Sequence, residues 1–150
     1  MSTERSTRLK TAYKVLETYS TLNVDKMMEP LADSFTHQVL PESLGQPPRD
    51  KETFAKHAIG FTSIFKEFAM VPQAVFEDPE SNAVVAYCKM EGQLNGLGPW
   101  HNECIIIMKM SEDGTMVVEH KEFVDSAKAK LLREKLSGMM DKQMNVNKQS

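Results

Sequence analysis

An α+β fold, with a curved antiparallel sheet wrapped around helices, is predicted by three observations. Apolar residues recur at helical spacing early in the chain and again near its end. Between Gln73 and Val124 the period changes to two, or the apolar run becomes continuous. The connections in that region carry turn chemistry, in Asp78-Pro79-Glu80-Ser81-Asn82, Asn95-Gly96-Leu97-Gly98 and Asp113-Gly114. Helices gathered early and strands gathered late make the α+β layout.

Residues 4–22 place Leu9, Ala12, Tyr13, Leu16 and Tyr19 on one helix face, with Ser2 or Thr3 as the cap. Asn23 caps a second, short helix through Met28, which Pro30 disturbs. Residues 35–40 read as a strand. Asp50 caps a third helix whose stripe takes in Phe54, Ala58, Phe61, Phe65 and Phe68, with His57 and Ile64 at its edge. Strands are expected at 73–77, 83–93, 100–110 and 116–124. A last helix starts at Asp125 or Ser126, uses Leu131, Leu132 and Leu136, and stops at Gly138. The polar stretch after Met140 is expected to fray, leaving one domain over 1–150 with an ordered core of about 4–138.

A formal net charge of -3 offers no basic field to nucleic acid. Cys88 and Cys104 are the only cysteines, too few for a disulfide framework or a zinc cluster, and they fit a reducing compartment. The first residues lack the apolar core of a signal peptide, and no apolar run reaches the roughly 20 residues of a membrane span. The cytoplasm is the expected location. With no glycine-rich phosphate loop and no His/Cys cluster, neither cofactor nor metal is expected. The run Cys104-Ile105-Ile106-Ile107-Met108 is apolar at odd and even positions alike, so both faces of its strand need cover. Another copy of the sheet is the simplest cover, which predicts a homodimer.

Three stretches set polar groups among apolar ones at strand ends: Thr36-His37-Gln38-Val39-Leu40-Pro41 with Ser43-Leu44-Gly45, Gly98-Pro99-Trp100 with Asn102-Glu103, and Glu122-Phe123-Val124-Asp125-Ser126. With the order of elements, they give a chain that resembles the nuclear-transport-factor-2-like superfamily, the cone-shaped fold of ketosteroid isomerase, scytalone dehydratase and SnoaL-type polyketide cyclases. The three phrases are most similar to the small fungal SnoaL-like isomerases of meroterpenoid biosynthesis. The resemblance implies a cone around a small hydrophobic substrate and cofactor-free rearrangement of a terpenoid–polyketide skeleton. It also implies an aspartate of the late sheet as base, which points to Asp125.

Each candidate has a plainer alternative. His37 and Gln38 alternate along their strand, so one of them enters the cone, and His37 is otherwise a core histidine. Glu103 shares a face with Ile105 and Ile107, which suggests a desolvated, proton-transferring carboxylate; the alternative is a strand-end glutamate paired with Lys89. Trp100 and Asn102 share the opposite face and line the cone if that face is the inner one. Asp125, beside Phe123, is either an inward carboxylate or a helix cap. His57, Phe61 and Phe65 are expected along the pocket wall. His101 and His120 are read as solvent-facing or interfacial, and Arg5, Arg8, Arg49 and Arg133 fall in predicted termini, loops or exposed helix. Methionines such as Met27, Met70 and Met90 would suit a soft pocket.

These residues lead to a cofactor-independent isomerase or cyclase, with Glu103 or Asp125 as base and His37 returning a proton or polarising a carbonyl. The alternative is a non-catalytic binding module whose cone is filled by Phe61, Phe65 and methionines.

Overall fold

A computed structural model describes residues 4–148 of the chain, with side chains through residue 138. Helices α1 (Thr7–Thr18) and α2 (Val24–Met28) lead into strand β1 (Leu31–Leu40), the short strand β2 (Arg49–Asp50) and helix α3 (Lys51–Ile64). Strands β3 (Phe65–Asp78), β4 (Ala83–Leu94), β5 (Gly98–Met110) and β6 (Val117–Val124) follow, and helix α4 (Ser126–Lys148) closes the chain. Side-chain oxygens of Ser6, Asn23 and Asp50 accept from Leu9 N at 3.1 Å, Lys26 N at 3.1 Å and Thr53 N at 2.8 Å, capping α1, α2 and α3. Ser6 thus takes the role expected of Ser2 or Thr3, which lie outside the described residues.

The six strands form one sheet in the order β2-β1-β6-β5-β4-β3. It is mixed rather than wholly antiparallel, because β1 runs parallel to β6. These two strands come from opposite ends of the chain, so no hairpin dictates their relative direction. Phe65 and Phe68, expected on the helical stripe of α3, belong to β3 instead. An irregularity in the β3–β4 register between Phe65 and Glu67 lets residues three apart share a face, so a strand imitates helical spacing. Gly138 does not stop α4: it lacks the left-handed backbone of a helix cap, and the helix continues to Lys148.

Alternation along β5 defines the two faces of the sheet. Asn102, Cys104, Ile106, Met108 and Met110 point inward and are buried, whereas Glu103, Ile105 and Ile107 point outward. Ala12 and Leu16 of α1, Tyr19 just after it, Met27 of α2, and Phe54 and Ala58 of α3 join the same core. On the outer face Phe76, Ile105, Ile107 and Phe123 are 65%, 45%, 39% and 52% exposed, so the two-sided apolarity of β5 leaves a bare patch on the monomer. At one end of the core Phe65 packs against Phe61, Phe68 and Trp100 with ring centroids 4.9, 5.0 and 5.5 Å away.

The Phe65 ring lies on the backbone of Gly92. A Cβ added there would stand 2.8 Å from Phe65 Cε1 and 3.2 Å from the Glu67 carbonyl oxygen. Since that ring is hemmed in by three other aromatics, Gly92→Ala should cost about 1–3 kcal/mol in urea unfolding, and wild-type stability in that variant would contradict the packing.

Candidate active site

Strand register brings the ionisable groups together. Phe35, His37 and Val39 are the inward residues of β1, and the parallel ladder sets His37 beside His120 and Val39 beside Glu122 of β6. Antiparallel β5 places Met108 opposite His120 and Ile106 opposite Glu122. Arg49 of β2 pairs with His37 from the other side. Tyr19 from the end of α1 and His57 from α3 complete the ring of polar groups.

Of these, Tyr19, His37, His57 and Glu122 line a cavity of about 50 Å³ together with Met27, Phe54, Phe61 and Met90, among others, while His120 and Arg49 do not reach it. A larger space of about 450 Å³ shares His57, Phe61, Met90 and Glu122 with it and forms a vestibule bounded by Trp100, Asn102 and helix α4. The His37 ring packs tilted against Phe54 with centroids 4.4 Å apart and lies 5.1 Å from His120 and 6.2 Å from His57. Arg49 Nη1 faces His37 Nδ1 at 3.5 Å, while its Nη2 donates to Gln46 Oε1 at 2.7 Å. A guanidinium can only donate, so a hydrogen bond to His37 requires Nδ1 bare and the proton on Nε2.

Burial sets the charge states. Glu122 is only partly exposed, toward the cavities that it lines, and desolvation pushes its pKa up to about 7 against the opposing pull of Arg49. His37 is pushed down to about 2 by burial and then by His120, Arg49 and His57. His120, with a buried Nε2 that has no partner among the described residues, is lowered to about 4 by burial. His57 is lowered by burial and by Arg49, although it stays open to solvent on the vestibule side. Burial and then Glu122 raise the Tyr19 hydroxyl well above its ordinary value. Near neutral pH the site therefore holds neutral imidazoles, one guanidinium, and one carboxyl poised between its two forms. A carboxyl in that state can take or give a proton, while Arg49, which lines neither space, acts on it through its field and on the cavity through its contact with His37.

Only part of the residue set expected from sequence is gathered here. His37 faces the cavity, and its neighbour Gln38 lies on the other face beside Lys121. His57 and Phe61 line both spaces, and Trp100 and Asn102 line the vestibule. Asn102 also donates through Nδ2 to the Asp125 carbonyl at 3.4 Å and accepts from Glu103 N at 2.8 Å. Phe65 is core rather than wall.

Glu103 sits outside, opposite Lys89 and hydrogen-bonded by the Tyr87 hydroxyl, because Ile105 and Ile107 mark the outer face and not the core. Asp125 is exposed, and its Oδ1 accepts from Ala127 N at 3.1 Å and Lys128 N at 3.3 Å, so it caps α4. Phe123 shares the outer face with Ile105. His120 is buried rather than solvent-facing, and Arg49 is a partly buried strand residue rather than a free loop cation. Glu122, Arg49 and Tyr19 are site residues that sequence reasoning missed. The signal for Glu122 was the alternation His120-Glu122-Val124, which puts it on the face opposite Phe123 and Asp125.

No protein-family model matches the chain. Among curated proteins it is 31% identical over 133 residues to the austinoid biosynthesis clusters protein H of Penicillium brasilianum, covering 85% of this chain and 88% of that one. It is 29% identical over 117 residues to a monooxygenase, AgnL5, of Paecilomyces divaricatus, covering 78% of this chain and 72% of the relative. The solved BvnE pinacolase of Penicillium brevicompactum superposes with a TM-score of 0.84 at 20% identity, over 89% of this chain and 96% of that one.

The charge states have a sign that can be measured. Glu122 has a folded pKa of about 7, above its ordinary 4.5, so its contribution to stability is full below pH 4.5 and lost as pH rises through 7. His120, lowered from 6.5 to about 4, contributes above pH 6.5 and loses that contribution as pH falls toward 4. Glu122→Gln should therefore match the native chain near pH 4.5 and exceed it by about 1–3 kcal/mol at pH 8 in urea unfolding. A pH-independent difference would refute this charge assignment. Asp125→Ala should cost about 1 kcal/mol and Asp125→Asn far less, since asparagine caps equally well; equal losses would refute the capping role.

Proposed function

Because the chain belongs to the SnoaL-like proteins of fungal biosynthetic clusters, on the nuclear-transport-factor-2-like fold, we propose that it is a cofactor-independent isomerase or cyclase acting on a hydrophobic polyketide–terpenoid intermediate. The observation that carries this reading is Glu122, a carboxyl near its midpoint at neutral pH, in an apolar chamber beside Arg49. In its ionised form Glu122 takes a proton from a carbon next to a carbonyl, or from a hydroxyl of the substrate. His37 and His57, neutral imidazoles that line the chamber, hydrogen-bond the oxyanion that forms, and Arg49 supports it from behind through His37. The protonated Glu122 then returns the proton to the rearranged skeleton, so the reaction balances without an external reductant or oxidant. The name of the austinoid-cluster relative supports a place in a biosynthetic cluster, and the pinacolase on the same fold supports a skeletal rearrangement.

The relative named a monooxygenase favours a second reading, in which the same carbanion adds dioxygen to give a hydroperoxide, whose O–O bond breaks with loss of water to leave a new carbonyl. The two readings part on mass, since rearrangement leaves the mass unchanged, whereas oxygenation adds one oxygen atom and removes two hydrogens, the second oxygen leaving as water.

Deleting the gene in the producing organism should accumulate the unrearranged intermediate, and complementation with Glu122→Gln should do the same. In vitro turnover of that intermediate should fall at least about 100-fold in Glu122→Gln, and native kcat should rise through pH 7 as the base ionises. Normal product from the glutamine variant would overturn the assignment, and an oxygen-dependent mass gain would select the second reading. The bare outer patch of Phe76, Ile105, Ile107 and Phe123 is read as the seat of a second copy. Sedimentation at micromolar concentration should give about twice the 17.0 kDa of the chain, and a monomer alone would count against it.

A further inference from the structure

The vestibule lies between stripes on two helices. Lys56, Gly60 and Ile64 recur every four residues on α3, and Leu132, Arg133 and Leu136 recur at helical spacing on α4. Two features of these walls are unexplained by the protein's own packing. Gly60 stands inside α3, where glycine is less favourable than alanine, yet a Cβ there would meet nothing within 4 Å. The charges are also one-sided. Although the whole chain carries a net charge of -3, the outer charges of this space are the cations Lys56 and Arg133, and its one carboxylate, Glu122, also lines the inner chamber. Among the described residues Arg133 has no ion-pair partner, and Lys56 reaches Glu52 only across 3.7 Å in an exposed pair.

We infer that the vestibule holds an apolar molecule of fused-ring size bearing a carboxylate, with its rings over Gly60 and the carboxylate between Lys56 and Arg133. A space of about 450 Å³ suits a ligand of that size, and a guanidinium matches the planar geometry of a carboxylate. The opposite orientation would press the carboxylate against Glu122 in a chamber of about 50 Å³. The inference names the substrate class of the site proposed above and rests on that reading for the chemistry at the inner end.

Trp100 is the only tryptophan of the chain and borders the same space, so its fluorescence reports occupancy. The whole protein is titrated with abietic acid, a fused-ring carboxylic acid, and with its methyl ester. The acid should bind roughly tenfold tighter than the ester. Lys56→Gln and Arg133→Gln should each shrink that ratio, and the double variant should bring it toward one. Gly60→Leu should weaken both compounds without lowering the melting temperature. Equal affinities in the native protein, an unchanged ratio in the double variant, or no response to either compound at millimolar concentration would each overturn the inference. So would unchanged binding in Gly60→Leu. Glu122→Gln separates the two readings, because it should bind the acid at least as well as the native chain while losing turnover. Full turnover by that variant would remove the catalytic reading and leave the vestibule assignment in place.

Discussion

Strands β1 and β6 come from distant parts of the chain and lie side by side in the same direction. That parallel ladder brings His37 level with His120 and Val39 level with Glu122, and β2, docked on the far edge of β1, adds Arg49 beside His37. Closing so long a loop costs entropy, offset by burying Phe35, Val39, Val117 and Val124 on the inner face. A slip of one residue would turn His37 out and Gln38 in, so the burial that fixes the register also fixes the chemistry.

Within that frame, the groups hold one another's charge in check. Burial alone would favour neutral forms throughout, and it does so for the three histidines. For Glu122 it meets the pull of Arg49, and the balance leaves the carboxyl near its midpoint. A more hydrated chamber would return Glu122 to an ordinary carboxylate, a weaker base, and a drier one without Arg49 would keep it protonated. The aromatic packing of Phe54 on His37, and of Phe61 against Phe65 and Phe68, limits that chamber to about 50 Å³.

The fold was largely legible in the sequence, and the site only partly. Caps at Asn23 and Asp50, and the strands that became β4, β5 and β6, follow from local chemistry that tertiary structure did not override. What misled was the choice of face. Ile105 and Ile107 look like core residues in a strand apolar on both sides, and taking their face as inner carried Glu103 in with them. The same inversion on β6 chose Asp125 and Phe123 over Glu122. Alternation says which residues share a face, but only the neighbouring strand says which face is covered. Arg49 was hidden for another reason: a two-residue strand has no periodicity to read. The helix-like spacing of Phe65 and Phe68 was a strand irregularity in disguise.

Helix α4 walls the vestibule with Ala129, Leu132 and Leu136, yet among the described residues it makes no extensive close backbone approach to any other element. Among the described residues its hold on the domain is the Asn102 contact and the Asp125 N–H bond to the Glu103 carbonyl at its root, with a few apolar side chains. Core residues are constrained by every neighbour that they touch, whereas a helix resting on so few contacts can exchange side chains at small cost to folding. The chamber that performs the chemistry and the wall that selects the molecule therefore lie under unequal constraint. On this architecture new substrates can be explored by changing one helix face, with the proton-transfer machinery carried along unchanged.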